Sequence, residues 1–157
     1  SWQTEHSGEK ATWLYTHPTD SFQGANNAGE QYGAFALAVG MHDALVSGNV
    51  ETYVYWQATA IRPNDTDFGL AEGTNFDTPK AAAFRHFSKH VLPDAQRFEV
   101  TSDSDLVLSS GYQNPDGSLT YVIINLSGEA DTVTLGVPVG SVGEVFSAYQ
   151  SSETQTY

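Results

Sequence analysis

A chain of 157 residues with 39% hydrophobic residues has the size of one ordinary domain and enough apolar content for a genuine core. Six Lys plus Arg against nineteen Asp plus Glu give a formal net charge of -13, so the surface repels phosphate backbones and anionic headgroups, which argues against nucleic acid and anionic membranes as partners. Cysteine is absent, which removes disulfides and thiolate metal sites, and no apolar run approaches a membrane-spanning length.

The chain opens on Ser1-Trp2-Gln3-Thr4-Glu5, with neither an initiator Met nor a charged-then-apolar leader, and so reads as the middle of something longer. Residues up to about Gly29 are polar and aromatic, with a loop-like run at His17-Pro18-Thr19-Asp20. From Glu30 to Val46 the spacing predicts a helix. Tyr32, Phe35, Val39, His42 and Val46 form a stripe that Ala38, Met41 and Leu45 widen. Asn27 and Glu30 suit a reciprocal cap, and Gly48 stands where a helix end favours a left-handed residue.

The stretch Glu51 to Ala58 is short, aromatic and β-branched, which predicts a strand. A loop rich in Asn, Asp, Gly and Thr follows, from Thr59 to Asp77. Thr78-Pro79 starts a second helix, with Thr as cap and Pro in the first turn. Ala83, Phe84, Phe87 and Val91 share one face of it until Pro93 ends it. Residues 1–95 thus read as strand, helix, strand, helix, the pattern of α/β units on a parallel sheet.

Beyond Pro93 the period becomes two. Arg97 to Thr101, Leu106 to Tyr112, Leu119 to Leu126, Thr132 to Val137 and Glu144 to Tyr149 predict short strands, and Asn114-Pro115-Asp116-Gly117 predicts an exposed hairpin turn. Strands at this spacing mean an antiparallel sandwich or barrel over residues 96–157. Neither part is complete, since two β/α units cannot close a sheet and five strands leave a sandwich short.

The segment Trp2-Gln3-Thr4-Glu5-His6 is the first candidate to carry chemistry. Reactive groups of α/β barrels sit at the C-terminal ends of strands, and a carboxylate just after an extended, Trp-containing segment occupies that kind of position. Retaining sugar hydrolysis needs one carboxylate to attack the anomeric carbon and a second to protonate the leaving oxygen. On periodicity alone, a solvated loop acid is the competing reading of Glu5.

Trp2-Gln3-Thr4-Glu5-His6-Ser7 resembles the nucleophile motif of glycoside hydrolase family 30, Trp-x-[Thr/Ser]-Glu at the end of the seventh barrel strand. Tyr53-Val54-Tyr55-Trp56-Gln57 resembles the eighth strand of that family. Lys80 to Pro93, with Phe87-Ser88-Lys89-His90-Val91-Leu92-Pro93, resembles its last barrel helix, and Arg97 onward through Tyr121-Val122-Ile123-Ile124-Asn125 its side β-sandwich. The resemblance implies α/β plus all-β architecture: the last strands and helices of a (β/α)8 TIM barrel over 1–95, then an incomplete antiparallel β-sandwich over 96–157. It also implies Glu5 as nucleophile and an acid/base glutamate upstream, in a remaining N-terminal part. No cofactor and no metal are implied.

Candidate substrate contacts are Trp2, Tyr55, Trp56, His6 and Arg62. Trp56 at a strand end can floor a sugar subsite, against a barrel-core alternative, and His6 can orient Glu5 or serve structure alone. Arg62 lies in Ala60-Ile61-Arg62-Pro63-Asn64-Asp65, which departs from the Arg-x-Tyr-Gly pattern of bacterial glucuronoxylanases. Tyr55-Trp56-Gln57 departs from the Asp-Trp-Asn of glucosylceramide-cleaving relatives. The expected substrate is a β-linked plant polysaccharide, xylan first and β-1,6-galactan second. A non-catalytic carbohydrate-binding module is the alternative of another class.

Asn64-Asp65-Thr66 and Asn125-Leu126-Ser127 fit the glycosylation sequon and favour a secreted, extracellular glycoprotein. Three lures carry little. His86 and His90 stand four apart but lack a third ligand, and read as a solvated helix face. Asp65-x-Asp67 lacks the Gly and distal Glu of a calcium loop. Ser109-Ser110-Gly111 is a strand end and not a nucleophile elbow.

Overall fold

The computed structural model describes residues 2–6 as main chain, and 34–55, 58–59, 70–71, 74–127, 129–137 and 146–152. Seven elements follow in order: β1 (Trp2–His6), α1 (Ala34–Val46), β2 (Thr52–Tyr55), α2 (Pro79–Ser88), β3 (Gln96–Phe98), β4 (Val107–Gln113) and β5 (Leu119–Asn125). They fall in two compact units, Ser1–His86 with Gln150–Tyr157 and Phe87–Tyr149, so the division lies inside α2.

In the first unit β1 and β2 pair in parallel, with α1 between them in sequence. The apolar stripe read from the sequence is recentred in α1. Leu37 is the most deeply buried large side chain, and Ala34, Ala36, Val39, Gly40, Met41 and His42 are buried with it. Phe35 and Ala38 are half-buried and pack around Ala34 and Ala83 of α2. Small residues on both helices permit that close approach, because short side chains let main chains come together.

The end of α1 differs from the expected one. The left-handed residue is Asn49, at φ 48°, and not Gly48. Asn accepts that conformation because its short polar side chain finds local hydrogen bonds. Gly48 is needed for a different reason, since a Cβ there would stand 2.7 Å from the Ala44 carbonyl oxygen. The N–H groups of Ser47 and Gly48 both reach the Asp43 carbonyl, at 2.9 and 2.8 Å.

The start of α2 follows the expectation. The Thr78 hydroxyl accepts from the Ala81 N–H at 3.1 Å, the reach of a helix cap. The same hydroxyl donates to the Leu70 carbonyl, tying the preceding segment to the cap. α2 ends at Ser88, short of Pro93, and continues as turns in which the His90 and Val91 N–H groups both reach Phe87 O.

The second unit is an antiparallel sheet in the order β3-β4-β5. Ser110 and Tyr112 of β4 and Val122 and Ile124 of β5 give it a buried side. On the other side Phe98, Gly111 and Tyr121 lie directly opposite one another across three strands. The Phe98 and Tyr121 rings meet edge to face at 5.5 Å. Gly111 is glycine because a Cβ would sit 2.4 Å from the Phe98 ring.

The hairpin turn carries its positive φ at Gly117, 85°, and Pro115, Asp116 and Gly117 are exposed. Asn114, expected to be exposed with them, is buried at 5%. Its Oδ1 accepts from the Leu92 N–H at 3.0 Å, and its Nδ2 donates to the His90 carbonyl at 3.0 Å. Nδ2 also lies 3.0 Å from Ser118 Oγ and 3.3 Å from Thr120 Oγ1, and Thr120 itself donates to the His90 carbonyl at 2.8 Å. One amide thus fastens the segment after α2 onto the β4–β5 hairpin.

The last two expected strands are corrected. Residues 131–137 and 146–149 form no strand, and Glu144 and Val145 of the last one lie outside the described residues. Val133 and Leu135 are 46% and 38% exposed, and no described strand hydrogen-bonds to them. Alternating β-branched residues make a strand only where a neighbour completes the ladder.

Two measurements check this unit. Asn114→Ala removes the acceptor of the part-buried Leu92 N–H and a donor to the His90 carbonyl and should destabilise the chain by about 1–2 kcal/mol in urea unfolding. Asn114→Asp keeps the acceptor and should lose less. His90 stacks on Tyr149 at 4.7 Å, and burial first, then neighbouring Lys89, holds its pKa below the ordinary 6.5. The folded chain therefore binds this proton less readily than the unfolded one. Its contribution to stability is complete above 6.5 and declines as pH falls from there through the lower folded value. Unfolding at about pH 8 and about pH 5 should show a loss at the acid end that His90→Gln reduces.

Candidate active site

The register of the parallel pair places the candidate residues. Trp2 lies opposite Thr52, Gln3 opposite Tyr53 and His6 opposite Tyr55. From Gln3 to His6 is three steps along β1, while from Tyr53 to Tyr55 is two along β2. One extra residue is therefore taken up where Thr4 and Glu5 stand. An irregularity of this kind at a strand end bends the chain and re-aims what it carries. Glu5 occupies the position just before the His6–Tyr55 pair, where both parallel strands end.

Tyr55 is buried, its ring against Phe84 of α2 at 6.3 Å and tilted by 54°. Phe84 is a site neighbour that the sequence reading placed only on a helix face. The helical spacing of Ala83, Phe84 and Phe87 signalled burial without naming the partner. Trp2, Glu5 and His6 are placed by their main chain on β1. Trp56, Arg62 and Asn64 lie outside the described residues. Asn125 closes β5, in the second unit.

The histidine pair does not form a solvated helix face. His86 Nε2 lies 2.9 Å from Ser151 Oγ, and His90, beyond the end of α2, stacks on Tyr149. Among the described residues no group of three or more His, Cys, Asp or Glu is placed to hold a metal ion. No helix among them is long and apolar enough to cross a membrane.

A parallel strand pair bridged by a helix, followed by a separate antiparallel sheet, defines a class of two-part α/β and β proteins with a carboxylate at a parallel strand end. Residues 94–154 match the model of the glycosyl hydrolase family 30 beta sandwich domain. The catalytic domain of the GH30 xylanase C from Talaromyces cellulolyticus is similar in structure, with a TM-score of 0.58 and 23% identity over 79% of this chain. At that identity the likeness is one of fold, and the chain spans 27% of that structure. Residues 94–154 are thus similar to the family 30 sandwich domain, the family whose nucleophile motif Trp2 to Ser7 resembles.

The contact under the strand end is testable. Tyr55→Ala empties the space against Phe84 and should lower stability by about 3 kcal/mol, read by thermal or urea unfolding. Tyr55→Phe keeps the ring and should retain most of it.

Proposed function

We propose that the chain is the C-terminal part of a secreted, retaining polysaccharide hydrolase. Residues 1–95 are then the end of a (β/α)8 barrel and 96–157 its side β-sandwich. Glu5 is the nucleophile in this reading. It attacks the anomeric carbon, while a glutamate from outside these 157 residues protonates the leaving oxygen. Two carboxyls serving retention stand about 5 Å apart, so that second group must reach the same strand ends. Trp2, His6, Tyr55, Trp56 and Arg62 are the proposed substrate contacts, and the loop that carries Arg62 lacks the Arg-x-Tyr-Gly pattern of bacterial glucuronoxylanases.

The observation that carries the reading is the parallel pairing of β1 with β2, which brings Glu5 to the C-terminal ends of two adjacent strands. In barrels of this type those ends form the reactive face. The substrate proposed is a β-linked plant polysaccharide, xylan before β-1,6-galactan. The fold likeness to a family 30 xylanase supports that order. A free-standing carbohydrate-binding module would need the sheet of the second unit but not a parallel pair joined by a helix.

In the complete enzyme, Glu5→Gln should lower turnover on xylan by roughly three or more orders of magnitude with binding largely kept. Glu5→Ala with added azide should restore turnover and release a glycosyl azide of inverted anomeric configuration, read by proton NMR. Full activity of Glu5→Gln would remove Glu5 from the mechanism. Binding of xylan without any hydrolysis by the unsubstituted enzyme would favour the module.

A further inference from the structure

We infer that Asn125 is a glycan attachment site, its side-chain amide nitrogen accepting an oligosaccharide from a diphosphate-linked lipid carrier in a eukaryotic secretory compartment. The triplet Asn125-Leu126-Ser127 has the required hydroxyl two residues on and no proline between. Asn125 is the last residue of β5 and is half-buried, on the same side of the strand as the exposed Ile123.

The local geometry separates the two ends of the amide. Asn125 Oδ1 accepts from the Ser127 N–H at 2.9 Å and from the Ser127 hydroxyl at 2.7 Å. The Ser127 hydroxyl also lies within 3.0 Å of the Glu129 carbonyl oxygen. Nδ2 is turned the other way and donates to the Glu129 carbonyl at 2.7 Å, at an exposed site. A primary amide has two N–H bonds, so a substituted nitrogen keeps one hydrogen for Glu129. The turn therefore holds with a sugar on Nδ2. Beyond it Glu129, Ala130 and residues 131–136 are exposed, which leaves room for a bulky, hydrated group.

In the transfer, a bond forms between Nδ2 and the anomeric carbon while the bond from that carbon to the carrier's diphosphate oxygen breaks. The electron pair leaves with the diphosphate, and one amide hydrogen departs as a proton to a base of the transferase. An ordinary turn of this kind needs the Ser127 N–H and not its hydroxyl. Substitution of Ser127 therefore separates a turn from an acceptor site.

The experiment expresses the chain behind a cleavable signal sequence in a eukaryotic secretory host, as N64Q, N64Q/N125Q, N64Q/S127A and N64Q/S127T. The membrane and secreted fractions are treated with peptide N-glycosidase and analysed by mobility and peptide mass spectrometry. The inference expects N64Q and N64Q/S127T to carry a glycan on Asn125 that the enzyme removes, and the other two variants to carry none. An unmodified Asn125 in N64Q in both fractions would overturn it. Attachment precedes folding, so a variant that fails to fold still reports in the membrane fraction. The inference rests on the proposed secretion and not on Glu5, so loss of hydrolysis leaves its readout unchanged.

Discussion

Two parallel strands cannot be joined by a tight turn, because the chain must travel back the length of the sheet before the second strand begins. That constraint governs the first unit. β1 ends at His6, α1 makes the return, and β2 runs beside β1 in the same direction. The ends of both strands are then on one edge by necessity, whatever side chains they carry. His6 and Tyr55 are far apart in sequence and partners in the ladder only because the parallel pairing makes them so, and Glu5 stands just before that pair. The helix earns its burial from the same arrangement. Ala34, Ala36 and Gly40 are small, so α1 can approach its neighbours closely enough to cover Leu37 completely.

The second unit is governed by a side chain. Asn114 uses both ends of its amide at once, accepting from Leu92 N–H and donating to the His90 carbonyl. These main-chain groups follow a helix that has just ended, and Asn114 satisfies them where they are partly shielded from water. The turn that follows is set separately by Gly117 and by Asp116, whose carboxylate accepts from the Ser118 hydroxyl and N–H and is held below its usual range by them. Residues Asn114 to Ser118 therefore do two jobs: the first anchors, the rest reverse the chain.

Much of this was legible from spacing and chemistry. Thr78-Pro79 announced a helix start, and the change from a period near four to a period of two after Pro93 announced an antiparallel sheet. The Trp-x-Thr-Glu segment announced a strand-end carboxylate, and the residues of β1 lie in a strand. What escaped depends on partners distant in sequence. Asn114 read as a turn residue because its composition cue is local, whereas its partners, the His90 carbonyl and the Leu92 N–H, lie more than twenty residues away. Thr132 to Val137 alternates like a strand, yet alternation records a preference for a pleated surface and cannot supply the neighbouring ladder. Gly48 read as the left-handed residue that ends α1, whereas Asn49 takes that conformation and Gly48 is kept free of a Cβ by the approach of Ala44 O.

The charge of the chain bears on how the site is to be read. Nineteen acids make almost any carboxylate look unremarkable by composition. Yet Asp43, Glu51, Asp77, Asp94, Glu99, Asp103, Asp105, Asp116, Glu129 and Asp131 are all exposed, and these are all the acids whose side chains are described. Such residues keep a protein soluble and apart from its neighbours, and their place on the surface is explained by hydration alone. None of them stands in a parallel strand. Glu5 does, and strands disfavour acids unless the position is exposed at an edge or put to use. A carboxylate that local propensity does not favour, held in the irregular stretch of β1 where two parallel strands end together, is set apart from the solvating acids by where the main chain puts it. Conflict between local preference and position of this kind is where function is to be sought first.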